Sequence, residues 1–227
     1  MLTLAIDTAT RTLSVAIVED QNVLAEISEV AAQAHAERLP LLLDQLLKQT
    51  GKQRTDIELV AVGVGPGAYT GLRVGLMFAT AFARALKIQL VGICSHDVIA
   101  PSNYTGLVVT DARRKEVYLS HYETGNRLFS PIVIKPDQIV QGDLAIIGDG
   151  VEVFGDILTT GKLVQICAGR LGQLVNAAIV AGVQVAQIVP NVSPAAGDGA
   201  NALPVGASLL LSPLPLYLRR PDAAEPK

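Results

Sequence analysis

Three short apolar runs open the chain, Leu2–Ile6, Leu13–Glu19 and Val23–Glu29, with the turn-forming residues Asp20–Asn22 between the second and the third. Runs of this length bounded by turn residues predict strands, here paired as a meander. The spacing then changes. Leu39, Leu42, Leu43, Leu46 and Leu47 recur three and four residues apart, lining one face of a helix that Thr50 and Gly51 end. Pro40 fits this helix if it lies in the first turn, where a missing N–H leaves no bond unmade. His35 then sits at or just before the helix start. Ile57–Val64 predicts a buried strand, Thr70–Lys87 a second helix and Leu90–Ile93 a further strand. Strands and helices alternating after a meander predict an α/β fold with a mixed sheet.

The pattern restarts near Pro101. Leu107–Asp111 and Glu116–Tyr122 predict a hairpin turning at Ala112–Lys115. Strands at Leu128–Ile134 and Leu144–Ile147 and a helix at Leu174–Ala186 follow. Asn191–Pro204, rich in Gly, Ala, Pro and Ser, predicts a loop, and the proline-rich tail beyond Leu209 an extended, then frayed end. We therefore expect two lobes, residues 1–100 and 101–227, of the actin-like, sugar-kinase type. The pattern by itself fits a flavodoxin-like or other Rossmann-like domain nearly as well.

Half of the 227 residues are hydrophobic and 17% are charged, which suits a packed core. A net charge of −3 gives no general attraction to nucleic acid. The basic triplet Arg113–Lys115, flanked by Asp111 and Glu116, reads as a solvated turn. Cys94 and Cys167 lie in apolar runs without metal or redox spacing and are expected as buried free thiols. The opening MLTLAIDTAT has no basic leader, and no apolar run reaches the ~18 residues of a membrane span. The expected compartment is the cytoplasm, where the sequons Asn103–Thr105 and Asn191–Ser193 carry no meaning.

Five glycines fall within Val62–Gly75, which resembles a phosphate cradle. A P-loop needs G-x-x-x-x-G-K-[ST], but Gly71 follows Gly65 one place too late and is succeeded by Leu72 and Arg73. The dinucleotide fingerprint belongs in the first βα turn with an acidic residue about 20 positions on, and Pro66 removes one of the N–H groups such a loop would offer. A different regularity remains: Gly67, Gly71, Gly75, Ala79 and Ala83 are spaced by four. On a helix starting near Thr70 these small residues form a ridge. Glycine inside a helix costs about 1 kcal/mol relative to alanine, so the ridge calls for close approach of another backbone. That backbone belongs either to a partner or to the same lobe. Leu72, Leu76, Phe78 and Phe82 on other faces favour a partner.

The catalytic inventory is thin. Actin-like folds place a metal–phosphate carboxylate at the end of the first strand, in the pattern Asp-x-Gly-Thr. Asp7 stands there, but Thr8, Ala9 and Thr10 follow, so Asp7, Thr8 and Thr10 read as the vestige of a nucleotide site. His35, His96 and His121 have no partner at metal spacing; the position four after His96 is Ala100. No nucleophile, base and oxyanion donor assemble. No catalytic residue, metal or cofactor is expected. The alternative is an actin-like kinase or ATPase using Asp7 and the cleft between lobes.

LAIDTATRTLSVAI, HAERLPLLLDQLL, GVGPGAYTGLRVGLMFATAFA, DARRKEVY and PLYLR together resemble, in this order, the bacterial TsaB (YeaZ) family. The likeness is close over roughly the first 125 residues and loose beyond, with Ala68 where the family usually has serine. It implies a two-lobed actin-like fold and a part in making N6-threonylcarbamoyladenosine beside the tRNA anticodon. In that family the subunit is non-catalytic and pairs with the transferase TsaD through helices of the first lobe; TsaE is an ATPase of the same system. Self-association is also implied, with tRNA reached only through the complex. TsaD-type enzymes hold a metal with a His-x-x-x-His pair, of which only His96 remains here. The residues expected at the partner interface are Leu39, Leu43, Leu46, Leu47, Gly71, Gly75, Ala79 and Ala83.

Overall fold

A computed structural model of the chain describes residues 1–30, 34–187, 189–190, 201–203 and 209–218. The strands β1 (Leu2–Asp7), β2 (Thr12–Glu19) and β3 (Asn22–Val30) form the meander, followed by helix α1 (His35–Thr50). The first sheet is completed by β4 (Leu59–Gly63) and β5 (Gln89–Ile93), which helix α2 (Tyr69–Leu86) connects. Its order is β3-β2-β1-β4-β5, antiparallel among the first three strands and parallel from β1 through β4 to β5. The expected α/β layout with a mixed sheet is present.

Side chains alternate between the two faces of this sheet. Leu4, Ile6, Leu13, Val15, Ile17, Val60 and Val62 pack with the leucines of α1 and with Leu76, Ala79 and Ala83 of α2. Ala5, Ala16, Val18, Leu59 and Ala61 belong to the opposite face. Branched residues dominate the face under α1 and α2, while Ala5, Ala16 and Ala61 leave room on the face that α5 covers.

A short helix α3 (Ser95–Ile99) leads to the second sheet, built from β6 (Gly106–Asp111), β7 (Val117–Glu123), β8 (Asn126–Arg127), β9 (Ile132–Ile134) and β10 (Ala145–Ile147). Its order is β10-β6-β7-β8, with β9 also on β7; β10 runs parallel to β6 and the other pairs are antiparallel. The β6–β7 turn is exposed as expected, and Arg113, Arg114 and Lys115 take φ of 62°, 52° and 61° in succession. Helices α4 (Gly150–Val153) and α5 (Ala168–Val180) follow.

Three expectations need correction. The helix placed at Leu174–Ala186 begins at Ala168 and ends at Val180, before Gly182 turns the chain at φ +72°. Its Gly172 rests on the small-residue face, where an added Cβ would stand 2.6 Å from Val18 Cγ2. Glycines that weaken an isolated helix let this one approach the sheet. The strand placed at Leu128–Ile134 is shortened to β9, Ile132–Ile134, which starts just after Pro131, a residue with no N–H for a ladder. Pro40 lies inside α1 rather than in its first turn. It is tolerated because Ala36, whose carbonyl loses its bond, and Pro40 are both exposed.

The loop expected at Asn191–Pro204 and the end of the tail lie outside the described residues, except for 201–203. Residues 209–218 return to the first sheet. Leu211 exchanges two backbone hydrogen bonds of 2.8 Å with Gly92 of β5, and the Leu216 N–H donates to the Val64 carbonyl at 2.7 Å. The Tyr217 ring lies over Tyr69, with centroids 4.8 Å apart. The division near Pro101 marks the change of sheet, while α5 and 209–218 cross back to the first lobe.

Candidate docking surface

The glycine stretch sits on the end of β1 and the β1–β2 turn. A Cβ added to Gly67 would stand 2.3 Å from the Ala9 carbonyl oxygen, and one on Gly71 2.6 Å from that of Thr8. At Gly75 it would meet Thr8 Oγ1 at 2.3 Å. The Thr8 hydroxyl in turn donates to the Gly71 carbonyl at 2.8 Å. One helical turn further, Ala79 and Ala83 are buried in the core with α1. The four-residue ridge therefore serves the close approach of α2 to its own strand. From the second lobe, the Tyr118 hydroxyl donates to the Gly67 carbonyl at 3.1 Å.

This placement turns the expected contact residues inward. Leu39, Leu43, Leu46 and Leu47 are core residues, and Gly75, Ala79 and Ala83 are buried beneath α2, with Gly71 turned to Thr8. None of these side chains is on the outside of the helix pair. What faces outward on α1 is Glu37, Leu41, Gln45 and Lys48; on α2 it is Thr70, Arg73, Met77, Ala81 and Arg84. Each outward stripe is polar toward its ends and apolar in the middle, with Leu41 56% and Met77 65% exposed. Beside Met77, Val74, Phe78 and Phe82 are half-buried against the core, and the two phenylalanine rings stack at 6.2 Å. Sequence reasoning missed Leu41 and Met77, although a signal was there. Both are large apolar residues out of phase with the core stripe of their helix.

Asp7, Thr8 and Thr10, expected as the vestige of a nucleotide site, are engaged internally. Asp7 is fully buried; its Oδ1 accepts the Ala9 N–H at 2.8 Å and its Oδ2 the Ser95 hydroxyl at 2.7 Å. Gly63 makes room for it, since a Cβ there would stand 1.8 Å from Oδ2. Burial pushes the carboxyl up to about 6, against the pull of the Ala9 and Ser95 hydrogen bonds. Thr8 is buried in its bond to Gly71, and the Thr10 hydroxyl stays local, donating to the Thr12 carbonyl at 3.4 Å.

His96 is buried on α3 with both ring nitrogens bonded, Nδ1 to the Ser120 hydroxyl at 2.7 Å and Nε2 to the Thr110 hydroxyl at 2.8 Å. Burial, with a smaller push from Arg127, lowers it to about 3, so the ring is neutral and joins α3 to the second sheet. His35, the first residue of α1, is 8% exposed, and burial lowers it as well. Cys94 is buried, and its thiol is pushed up to about 12 by that burial; Cys167 is half-buried, its Sγ 3.1 Å from Glu26 Oε2. Among the described residues no group of three His, Cys, Asp or Glu could hold a metal, and no helix is long and apolar enough to cross a membrane.

A family model described as "TsaD: tRNA N6-adenosine threonylcarbamoyltransferase" matches residues 22–188. An uncharacterized protein of Mycobacterium tuberculosis is 45% identical over 133 residues, which cover 57% of this chain and 63% of that protein. The chain thus spans under two thirds of that relative's length. The Escherichia coli tRNA threonylcarbamoyladenosine biosynthesis protein TsaB is 30% identical over 174 residues, covering 69% of this chain and 75% of its own length. Among solved structures, YeaZ from Pseudomonas aeruginosa aligns with a TM-score of 0.65 at 25% identity, covering 80% of this chain and 93% of YeaZ. The fold is the actin-like α/β fold expected from the sequence.

Proposed function

Since this chain belongs to the TsaB family of tRNA threonylcarbamoyladenosine biosynthesis proteins, we propose that it is a non-catalytic subunit that docks on the transferase TsaD. The observation that carries the reading is the outward face of α1 and α2, with apolar Leu41 and Met77 inside a rim of polar residues. An apolar centre within a polar rim is the anatomy of a specific protein interface.

The match to a TsaD family model adds to this. Two proteins of common fold can meet through equivalent surfaces, as identical subunits do around a two-fold axis. The same face would serve a homodimer when the partner is absent. TsaE joins as a third component, and tRNA is reached through the complex. Docking raises the transferase's activity by favouring its competent conformation, which requires that the subunit bind that conformation better than the idle one.

The test mixes this chain with the TsaD of its own organism and follows complex formation by size and tRNA modification by nucleoside analysis. Met77→Glu together with Leu41→Glu should leave the chain folded, abolish the complex and remove its stimulation of tRNA modification. A double variant that still binds and stimulates normally would refute the docking face. Self-association without any effect on modification would mean a homodimeric structural protein instead. The kinase alternative finds no support at Asp7, whose oxygens each hold an internal donor.

A further inference from the structure

A groove of about 520 Å³ opens between α5, the α3–β6 connection and the β7–β8 turn, and no residue of α1 or α2 lines it. Its charged lining is Asp97, Arg127 and Arg170. Asp97 is already engaged. Arg127 donates to it from Nε at 2.9 Å and from Nη2 at 3.4 Å, and the Tyr122 hydroxyl donates to its Oδ1.

Arg170 is the second guanidinium, and among the described residues it has no acid partner. One Nη2 hydrogen bond of 2.6 Å reaches the Ala100 carbonyl, and its Nε is buried without a partner. A guanidinium keeps its charge in any protein environment, so a half-buried one that meets no counter-ion among the described residues is left short of an anion. Around it Ser102, Asn103 and Thr124 offer polar groups, while Phe129 and Leu174 form an apolar wall. The volume falls within the range of small-molecule sites.

We infer that this groove binds a small organic anion, with Arg170 taking its carboxylate or phosphate group and Phe129 and Leu174 flanking its apolar body. The site is independent of the docking face, and an occupant could bind whether or not a partner is present.

The full chain is titrated with benzoate, phenyl phosphate and, as the uncharged control, benzamide, with amide NMR shifts as the readout. At least one anion should bind saturably and shift amides of α5 and of residues 124–130, while benzamide does not. The stronger of the two anions tells a carboxylate ligand from a phosphate one. Arg170→Gln should weaken that anion roughly tenfold or more, the loss of a charge-assisted hydrogen bond. Should Arg170→Gln fail to fold, Arg170→Lys, which keeps the charge but not the planar fork, should still bind more weakly than the parent chain. The inference is overturned by no saturable shift with either anion, by equal binding of benzamide, or by undiminished affinity in the folded Arg170 variant.

Discussion

Thr8 and Gly75 stand in such close contact that a single added carbon on Gly75 would lie 2.3 Å from the Thr8 hydroxyl oxygen. That hydroxyl is held in place by the Gly71 carbonyl one turn earlier. The helix is set against the strand by this contact, and the distance leaves no room for a methyl group unless Thr8 moves.

Gly75→Ala should therefore destabilise the chain by about 1–3 kcal/mol, the usual effect of overpacking a filled site. Thr8→Ala removes the opposing atoms, so adding it to Gly75→Ala should recover part of the loss as a favourable coupling. Urea unfolding of the two single variants and the double variant measures this. Equal stability of Gly75→Ala and the parent chain, or strictly additive effects, would show that the contact does not set the spacing.

Leu39 and Leu41 are neighbours on α1 with opposite roles. Leu39→Ala should cost about 2–5 kcal/mol, because it empties a filled core position. Leu41→Ala, on the exposed stripe, should change stability by no more than about 0.5 kcal/mol. The affinity for a partner should follow the reverse order among folded variants. Thermal unfolding and a binding titration on the same samples separate the two effects.

Acid should affect this protein partly through Asp7. A carboxyl that titrates near 6 in the folded chain, against 3.8 for a free aspartate side chain, binds its proton more tightly when folded. Its contribution favours folding below the unfolded pKa and is lost as pH rises through about 6. Asp7→Asn keeps an acceptor for the Ala9 N–H and can donate to Ser95. At pH 8 it should be more stable than the parent chain by roughly 2–3 kcal/mol, and the difference should vanish toward pH 4. Denaturant titrations at both pH values decide the point; a variant less stable at pH 8 would give Asp7 another role.

His96 should remain neutral well below the pH at which an exposed imidazole charges. Its folded pKa of about 3 is a burial effect, and both nitrogens hold hydroxyl partners. Ring resonances followed by nitrogen-detected NMR should not titrate between pH 8 and pH 5. A midpoint near 6.5 would mean that the ring reaches solvent.

Periodicity made most of the first lobe legible. β1 to β3, both long helices and β5 lie within a few residues of where alternating and three-four spacings put them, since one buried face imposes each period. At α5 the helix expected from Leu174 begins six residues earlier, in a turn that carries Gly169 and Gly172, and the need for those glycines shows only once Val23, Val18 and Ala5 of the sheet stand opposite them. The glycine ridge was legible as a close contact, but spacing carries no information about which backbone lies opposite. Leu41 and Met77 were passed over because the search followed in-phase residues, whereas the proposed docking face consists of those out of phase. The Arg127–Asp97 pair could not be read at all, as the two residues meet only when α3 and β8 come together.

The strand-like segment at 209–218 gives the first lobe an unusual dependence. A fragment ending at Ala100 would present β5 with an open edge at Gly92 and an unpaired carbonyl at Val64, both of which Leu211 and Leu216 cover. Open edges invite pairing with other chains. On the ribosome the lobe that carries α1 and α2 would stay unsealed until the whole second sheet and α5 had been made. Folding then depends on closing a very long loop, so nascent chains cut short after the first sheet should be aggregation-prone.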